Sequence, residues 1–445
     1  MSDVLGVIVL ARNGERTEYY QDPSSYAGGL TDSTPLGVSS LHALGSQLRE
    51  TYLTPGAPAF IDGMSPDLAD TEQIKVRAKA GTEGPVVFDS AIALLQGLFP
   101  PTPKNKITLA DGKEVVAPLG GYQYVPMETV EPGNDRSMES WTDCPNFKKH
   151  VVSFHSSDEF KKKAKEAAPF FKEAKDFVFG RAASLENIWN IHDFMSTQLT
   201  YNQTYAYRLP PTYVEQARGF ADWHEDSVFS DTDAGGIGNI AGRTMMHTIL
   251  TSLERIAFNG DPLQMMLLQT TYQPFISLFH EAEIADDAGK KLQGIPNFGS
   301  ALAIELRKGA PPDTRDFLRM KFLNATEGDW KLVHPFGHKA DIPLTEFIYR
   351  AEGASIKSNK EWAQVCGASG SATSSRLSLP TTAHEAARTA VPLALGMMLA
   401  LLFVFVSHFV LGAVRRKREA RRVRLLGEEA QLQGPQAVVV DKVRL

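Results

Sequence analysis

The sequence predicts an α/β protein: a three-layer sandwich with a mainly parallel sheet, a helical insertion and a C-terminal transmembrane helix. Three observations predict it. Short apolar runs alternate with longer segments of helical periodicity. One long stretch, 145–235, reads as helical throughout and interrupts the strands. Residues 391–414 carry no formal charge.

The first apolar run, residues 4–10, reads as a buried strand. Residues 74–76, part of 255–259, 302–306 and 317–323 are the further candidate strands, and the last two are expected to form an antiparallel ribbon. Helical periodicity marks 36–52, 87–98, 158–178, 183–200 and 240–253. No internal repeat is visible. At 445 residues the chain is long enough for a large core with accessory segments.

Charge is unevenly placed. The formal net charge is −6, yet residues 415–424 hold seven Lys/Arg against one Glu, which leaves the rest near −12. An acidic body excludes nucleic acid as an expected partner. The basic block follows the uncharged run, which at 1.5 Å per residue is long enough to span a bilayer with some tilt. Arg415, Arg416, Lys417 and Arg418 flank it and are expected to stay cytosolic, placing the body on the luminal or extracellular side. The tail, 415–445, is then suited to anionic lipid headgroups.

Against this orientation, Met1, Ser2 and Asp3 bring no basic n-region, and the first apolar run stops early. Either a segment upstream carries the body across, or the chain is tail-anchored with its body in the cytosol. Three features favour the outside. Asn202 and Asn324 head glycosylation sequons. Residues 367–390 open on a Ser/Thr/Gly-rich stretch typical of a stalk. Cys144 and Cys366 make one pair's worth of cysteine, either a disulfide or two buried thiols.

The chemistry-bearing motif lies at the end of the first strand, where Arg12 and Arg16 flank Gly14. Two guanidinium forks around a glycine turn suit a tetrahedral oxyanion, and α/β sheets bind ligands at such carboxyl ends. Between them stands Asn13. The run Arg12-Asn13-Gly14-Glu15-Arg16 resembles the Arg-His-Gly-x-Arg signature of the histidine phosphatase superfamily, in which that histidine becomes phosphorylated. Further resemblances follow in order: Thr34-Pro35-Leu36-Gly37 with Leu44-Gly45, then Ser90-Ala91 with Gly97 to Pro101. Tyr124-Val125-Pro126, Cys144-Pro145, Ser300-Ala301 and Ile342-Pro343-Leu344 continue the series. Together they cover roughly residues 4–366 and resemble the acid phosphatase and phytase branch, phosphoglycerate mutase-like in fold.

The resemblance implies that 1–144 and 236–366 form the core and 145–235 an α-helical cap over the pocket. It also implies that Arg12 and Arg16 bind phosphate. The family's third arginine falls on Val86, with Arg77 and Lys79 as off-motif cations nearby. Its His-Asp dipeptide falls on residues 257–262, where Asp261 is the candidate proton donor. Neither alignment of that segment keeps a histidine.

A carboxamide at position 13 has no basic ring nitrogen and cannot form a phosphoimidazole. His42, His192, His247, His280, His334 and His338 offer no replacement at a strand end beside an arginine. His334 and His338 have a metal-like spacing, but Pro335 and Gly337 between them imply a loop, so no metal site is expected. The glycines at 236 and 238 fit a dinucleotide fingerprint only loosely, lacking a preceding strand, and no cofactor is expected. The leading expectation is a membrane-anchored, acid phosphatase-like pseudoenzyme that keeps an anion pocket for a phosphate ester or another anion. The alternatives are an active phosphomonoesterase using Asp261, and a structural surface glycoprotein.

Overall fold

The computed structural model describes residues 3–368, apart from 259, 313, 326 and 327. Most of the expected stalk, the 391–414 run and the basic tail lie outside the described residues. Among the described residues no helix is long and apolar enough to cross a membrane.

The strands are β1 Val4–Arg12, β2 Ile74–Lys79, β3 Lys106–Thr108, β4 Glu114–Val116, β5 Glu128–Val130 and β6 Met265–Thr270. They continue with β7 Ala285–Asp286, β8 Ala301–Arg307, β9 Phe317–Leu323, β10 Trp330–His334 and β11 Ile342–Pro343. The helices are α1 Pro35–Leu48, α2 Gly84–Leu98, the single turn α3 Pro118–Gly121, α4 Pro145–Ser156, α5 Asp158–Ala174 and α6 Ile188–Tyr201. After them come α7 Gln203–Arg208, α8 Pro211–Val228, α9 Ile240–Ala257, α10 Gln273–Glu281, α11 Leu344–Glu352 and α12 Asn359–Val365.

The main sheet runs β5-β2-β6-β1-β8-β9-β10-β7, with β11 beside β9, while β3 and β4 pair apart. It is half parallel, which corrects the mainly parallel expectation. β5, β2, β6 and β1 pair in parallel, whereas β8, β9, β10, β7 and β11 pair antiparallel. Connection length is the reason. The connections 308–316 and 324–329 are too short for a crossover, so β8, β9 and β10 can only reverse direction. The expected ribbon is therefore β8 against β9.

Side chains of β1 alternate between two helical layers. Ile8 and Leu10 pack with Met245, Ile249 and Phe275 of α9 and α10. Val7, Val9 and Ala11 pack with Leu41, Leu44 and Leu94 of α1 and α2. The latter two helices cross very closely. A Cβ on Gly45 would lie 2.0 Å from the Leu94 carbonyl oxygen, and one on Gly97 would lie 2.0 Å from that of His42.

The expected strand at 255–259 is instead the end of α9, and the buried strand follows at β6. Leu253 keeps the helical period of the buried residues behind it, and Gly260-Asp261-Pro262 is the punctuation. β6 itself reads Met-Met-Leu-Leu-Gln-Thr, nearly without β-branched residues, and is drawn into the sheet by burial on both faces.

Residues 145–228 form α4 to α8 and build a separate aromatic core with Tyr19, Tyr26, Tyr272 and Trp362. A disulfide joins Cys144, just before α4, to Cys366, just after α12, with Cα atoms 4.9 Å apart. Of the two possibilities the sequence left open, the structure has the bond.

Candidate functional site

The site lies at the shared carboxyl end of β1 and β6, where Arg12 faces Thr270 in register. Arg12 is 5% exposed. Its Nη1 donates to the Pro296 carbonyl, and its guanidinium lies 4.1 Å from the Phe298 ring centroid and 5.5 Å from that of Tyr272. Among the described residues no carboxylate ion-pairs with it. Burial, with Arg16 and Arg218 near, pulls its pKa down to about 9, against some relief from Glu83.

Asn13 is pinned on three sides. Its backbone N–H donates to Thr270 at 2.9 Å, its carbonyl accepts from Gly299 at 3.0 Å, and its Nδ2 donates to the Gly14 carbonyl at 3.0 Å. Gly14 then donates to Ser90 Oγ at 2.9 Å. A Cβ at position 14 would lie 2.5 Å from the Gly37 carbonyl oxygen, so the loop packs backbone to backbone on the start of α1.

Arg16, 1% exposed, is held from inside through Nε and Nη1. Nε donates to Glu83, and Nη1 donates to both Asp193 oxygens at 2.9 and 3.2 Å. Burial works to lower its pKa, but Asp193 and Glu83 outweigh that and hold it above the ordinary arginine value. Asp193 is pushed up by burial, with Arg16 opposing. Glu83 stands immediately before α2 with φ of 58°, a left-handed backbone that a residue with a Cβ adopts only at a cost. Val86, where the resemblance expects a cation, is fully buried one turn later on the same helix.

The off-motif cations are likewise matched. Lys79 is fully buried with Nζ 2.7 Å from Glu139 Oε2. Arg77 is held by Glu128 and Asp135 at 2.8 and 2.6 Å. It lines a cleft of about 830 Å³ beside α9, whose cations Arg136, Arg255 and Lys357 also have carboxylate partners.

The structure does not bring Asp261 to the arginines. Because α9 runs on to Ala257, the turn at 260–262 enters β6 at its amino end, opposite Arg12. There Asp261 accepts from Arg255 at 2.8 and 3.1 Å and from the Leu263 N–H at 3.0 Å. The Arg255 hydrogen bond, with Leu263, lowers its pKa, the reverse of what a proton donor needs. At the carboxyl end of β6 stand Gln269, Thr270, Thr271 and Tyr272, with neither a carboxylate nor a histidine.

Several donors at that end make no hydrogen bond among the described residues: Arg12 Nε, Arg16 Nη2, Gln269 Nε2 and the hydroxyls of Thr270 and Thr271. They lie at the ends of β1 and β6 and just beyond them. His192, on α6 next to Asp193, stands within the influence of Arg12. Burial, then Arg218 and Arg12, pull its pKa down to about 3, so the ring is neutral, and its Nε2 meets Ser196 Oγ at 3.2 Å. His334 and His338 engage Asp287 and Glu346 separately.

Of the sequons, Asn202 is exposed and caps α7 by accepting from the Tyr205 N–H. Asn324 is half-buried, its Oδ1 accepting from the Asn297 N–H and Ser300 Oγ at 3.2 and 3.1 Å beside the loop that carries Pro296 and Phe298. Sequence reasoning missed Glu83, Asp193, Tyr272 and Phe298. Only Glu83, just ahead of a helix start, carried a local signal.

The chain as a whole has counterparts among known proteins. Bovine (Bos taurus) lysosomal acid phosphatase is 22% identical over 373 residues, covering 82% of this chain and 80% of that protein. Among solved structures, the Klebsiella sp. ASR1 phytase shares the fold with a TM-score of 0.55 at 12% identity, over 80% of this chain and 96% of its own. The Hafnia alvei phytase in complex with myo-inositol hexakis sulphate does so with a TM-score of 0.54 at 9% identity, over 80% and 97%. Residues 7–257, beginning inside β1 and ending with α9, match the histidine phosphatase superfamily (branch 2). With that match spanning more than half of its length, the chain belongs to branch 2 of the histidine phosphatase superfamily.

Proposed function

We propose that this chain is a non-hydrolytic member of its family that keeps a small anion site at Arg12. The observation that carries the first half is the buried carboxamide of Asn13, pinned where covalent catalysis needs an imidazole. The second half rests on the buried donors without partners at the ends of β1 and β6, Arg12 Nε first among them. Arg12 is the cation there without a carboxylate, so a small oxyanion is the class of ligand it fits. The expected anchoring by 391–414, a luminal or extracellular body, lipid contact by the tail and glycosylation at Asn202 belong to the same reading. The Cys144–Cys366 bond supports an oxidising compartment for the body.

The test uses the purified full chain in detergent. p-Nitrophenyl phosphate turnover from pH 4 to 8 is expected to equal that of Arg12→Ala. Turnover that Arg12→Ala abolishes overturns the non-hydrolytic reading in favour of a working phosphomonoesterase. Phosphate or sulfate is expected to raise the melting temperature of the unmodified chain and not of Arg12→Ala. A flat response in both favours the second reading, a scaffold-like surface glycoprotein, for which the internal pairing of Arg16 speaks.

A further inference from the structure

A chain of buried polar groups crosses the helical segment 145–228 and is unused by the anion site. His155 of α4 and His224 of α8 face each other Nε2 to Nε2 at 2.9 Å. His224 Nδ1 lies 2.9 Å from Glu225 Oε1. Glu225 also accepts from Tyr26 at 3.1 Å and from Tyr272 at 2.7 Å. His224 and Glu225 are each 1% exposed. The rings of Phe154, Phe160 and Trp223 close around the two imidazoles.

Proton counting limits what this pair can hold. The Glu225 carboxylate is an acceptor, so His224 Nδ1 carries hydrogen. Between the two facing Nε2 atoms there is room for one proton: one ring donates and the other accepts. With both rings cationic, each Nε2 carries hydrogen and no acceptor remains. Two like charges would then sit within hydrogen-bond distance, one of them on the fully buried His224.

We propose that the His155–His224 contact is an acid-operated latch that holds α4 on α8 and releases when both imidazoles are protonated. The charged groups facing it are few. On His155, beside His224 itself, Glu186 of the turn before α6 acts and favours the cation. On His224, Glu225 acts from the same helix, and the two tyrosines reach that carboxylate from the loop after β1 and the end of β6. Burial first, and His224 second, hold the His155 pKa down at about 4, which puts release at acidic rather than neutral pH. Trp223, packed on Phe154 and Phe160, is a built-in reporter.

The experiment is an acid titration of the full chain from pH 7 to 3 at fixed ionic strength. The signal is tryptophan fluorescence, with the Trp223 component isolated by difference against Trp223→Phe. One transition centred between pH 4 and 5 is expected. His155→Gln, whose amide still donates to His224 but never becomes cationic, is expected to lose it. The same midpoint in His155→Gln overturns the latch. Glu186→Gln, a substitution at an exposed side chain, guards against a folding failure of that variant. It removes the group that favours the cation and is expected to move the midpoint to lower pH by a few tenths. An unmoved midpoint also overturns the proposal.

Discussion

Glu281→Gln is expected to stabilise this protein progressively as pH rises, because the wild-type carboxyl is held neutral in a place that cannot satisfy its charge. Glu281 ends α10, is 6% exposed, and neither carboxyl oxygen has a hydrogen-bond partner. Its Oε2 lies so close to α9 that a Cβ on Gly242 would be 2.8 Å away. Arg243 is near, but its Nε is committed to the Ala354 carbonyl at 2.7 Å. Burial pushes the Glu281 pKa up to about 8 from 4.5, with Arg243 giving partial relief. The folded chain therefore holds a proton that the unfolded chain gives up between these two values, so stability falls as pH rises through that window. Each decade is worth about 1.4 kcal/mol, which makes the penalty at pH 7 roughly 3 kcal/mol as an upper bound. A glutamine removes this dependence and leaves a pH-independent cost of about 1–3 kcal/mol for its unpartnered amide. Urea titrations of both proteins at pH 5, 6, 7 and 8 give the difference directly. The unfolding free energy of the variant minus that of wild type should climb by about 2–4 kcal/mol across the series. A difference that stays constant with pH refutes the reasoning, whatever its sign.

Asp193→Ala strands the Arg16 guanidinium and should cost about 3–5 kcal/mol in phosphate-free buffer; phosphate should then raise its melting temperature more than that of wild type, read by calorimetry with and without the anion. Gly45→Ala forces a methyl into the Leu94 carbonyl and should cost about 1–3 kcal/mol or more, seen as a lower urea midpoint. Reduction of Cys144–Cys366 opens a loop of sequence separation 222, for which chain entropy gives a stabilisation of about 5 kcal/mol. The melting temperature in dithiothreitol should fall accordingly.

What the sequence made legible follows from which interactions are local. β1 was readable because nine consecutive residues alternate between two buried faces. The ribbon of β8 and β9 was readable because both runs are apolar and their separation is short. Arg255 misled because the end of an amphipathic helix looks like a short strand when a Gly-Asp-Pro turn follows it; Asp261, proposed from the resemblance, lies in that turn at the amino end of β6. The partners of Arg16 were out of reach for a different reason. Asp193 lies 177 residues away, on a helix whose other buried positions are apolar except for Asn190, and nothing along the chain announces that one carboxylate points inward. Only the packing of α6 against the loop after β1 creates that pair.

The same packing predicts that Asn13→His alone restores no turnover. Around the end of β1 the buried cations Arg12, Arg16 and Lys79 are balanced by Glu83, Asp193 and Glu139. A phosphate ester dianion approaching this set gains Coulomb energy from Arg12 alone, against its own desolvation. Glu83 sits one turn before Val86, so the helix that would present a third cation presents a carboxylate instead. A histidine at position 13 would regain a nucleophile in a pocket that holds an anion through Arg12 alone and supplies no proton to the leaving group, since Asp261 is held at the far end of β6 by Arg255. The informative variant is therefore the triple Asn13→His, Glu83→Gly, Val86→Arg. It exchanges two elements of the site at once, removing the strained backbone at position 83 and reversing the charge beside Arg16. With p-nitrophenyl phosphate, measurable turnover in the triple variant and none in the single one is the expected result. Turnover in Asn13→His by itself would mean that the internal carboxylates yield to substrate, and that the missing imidazole was the whole of the defect.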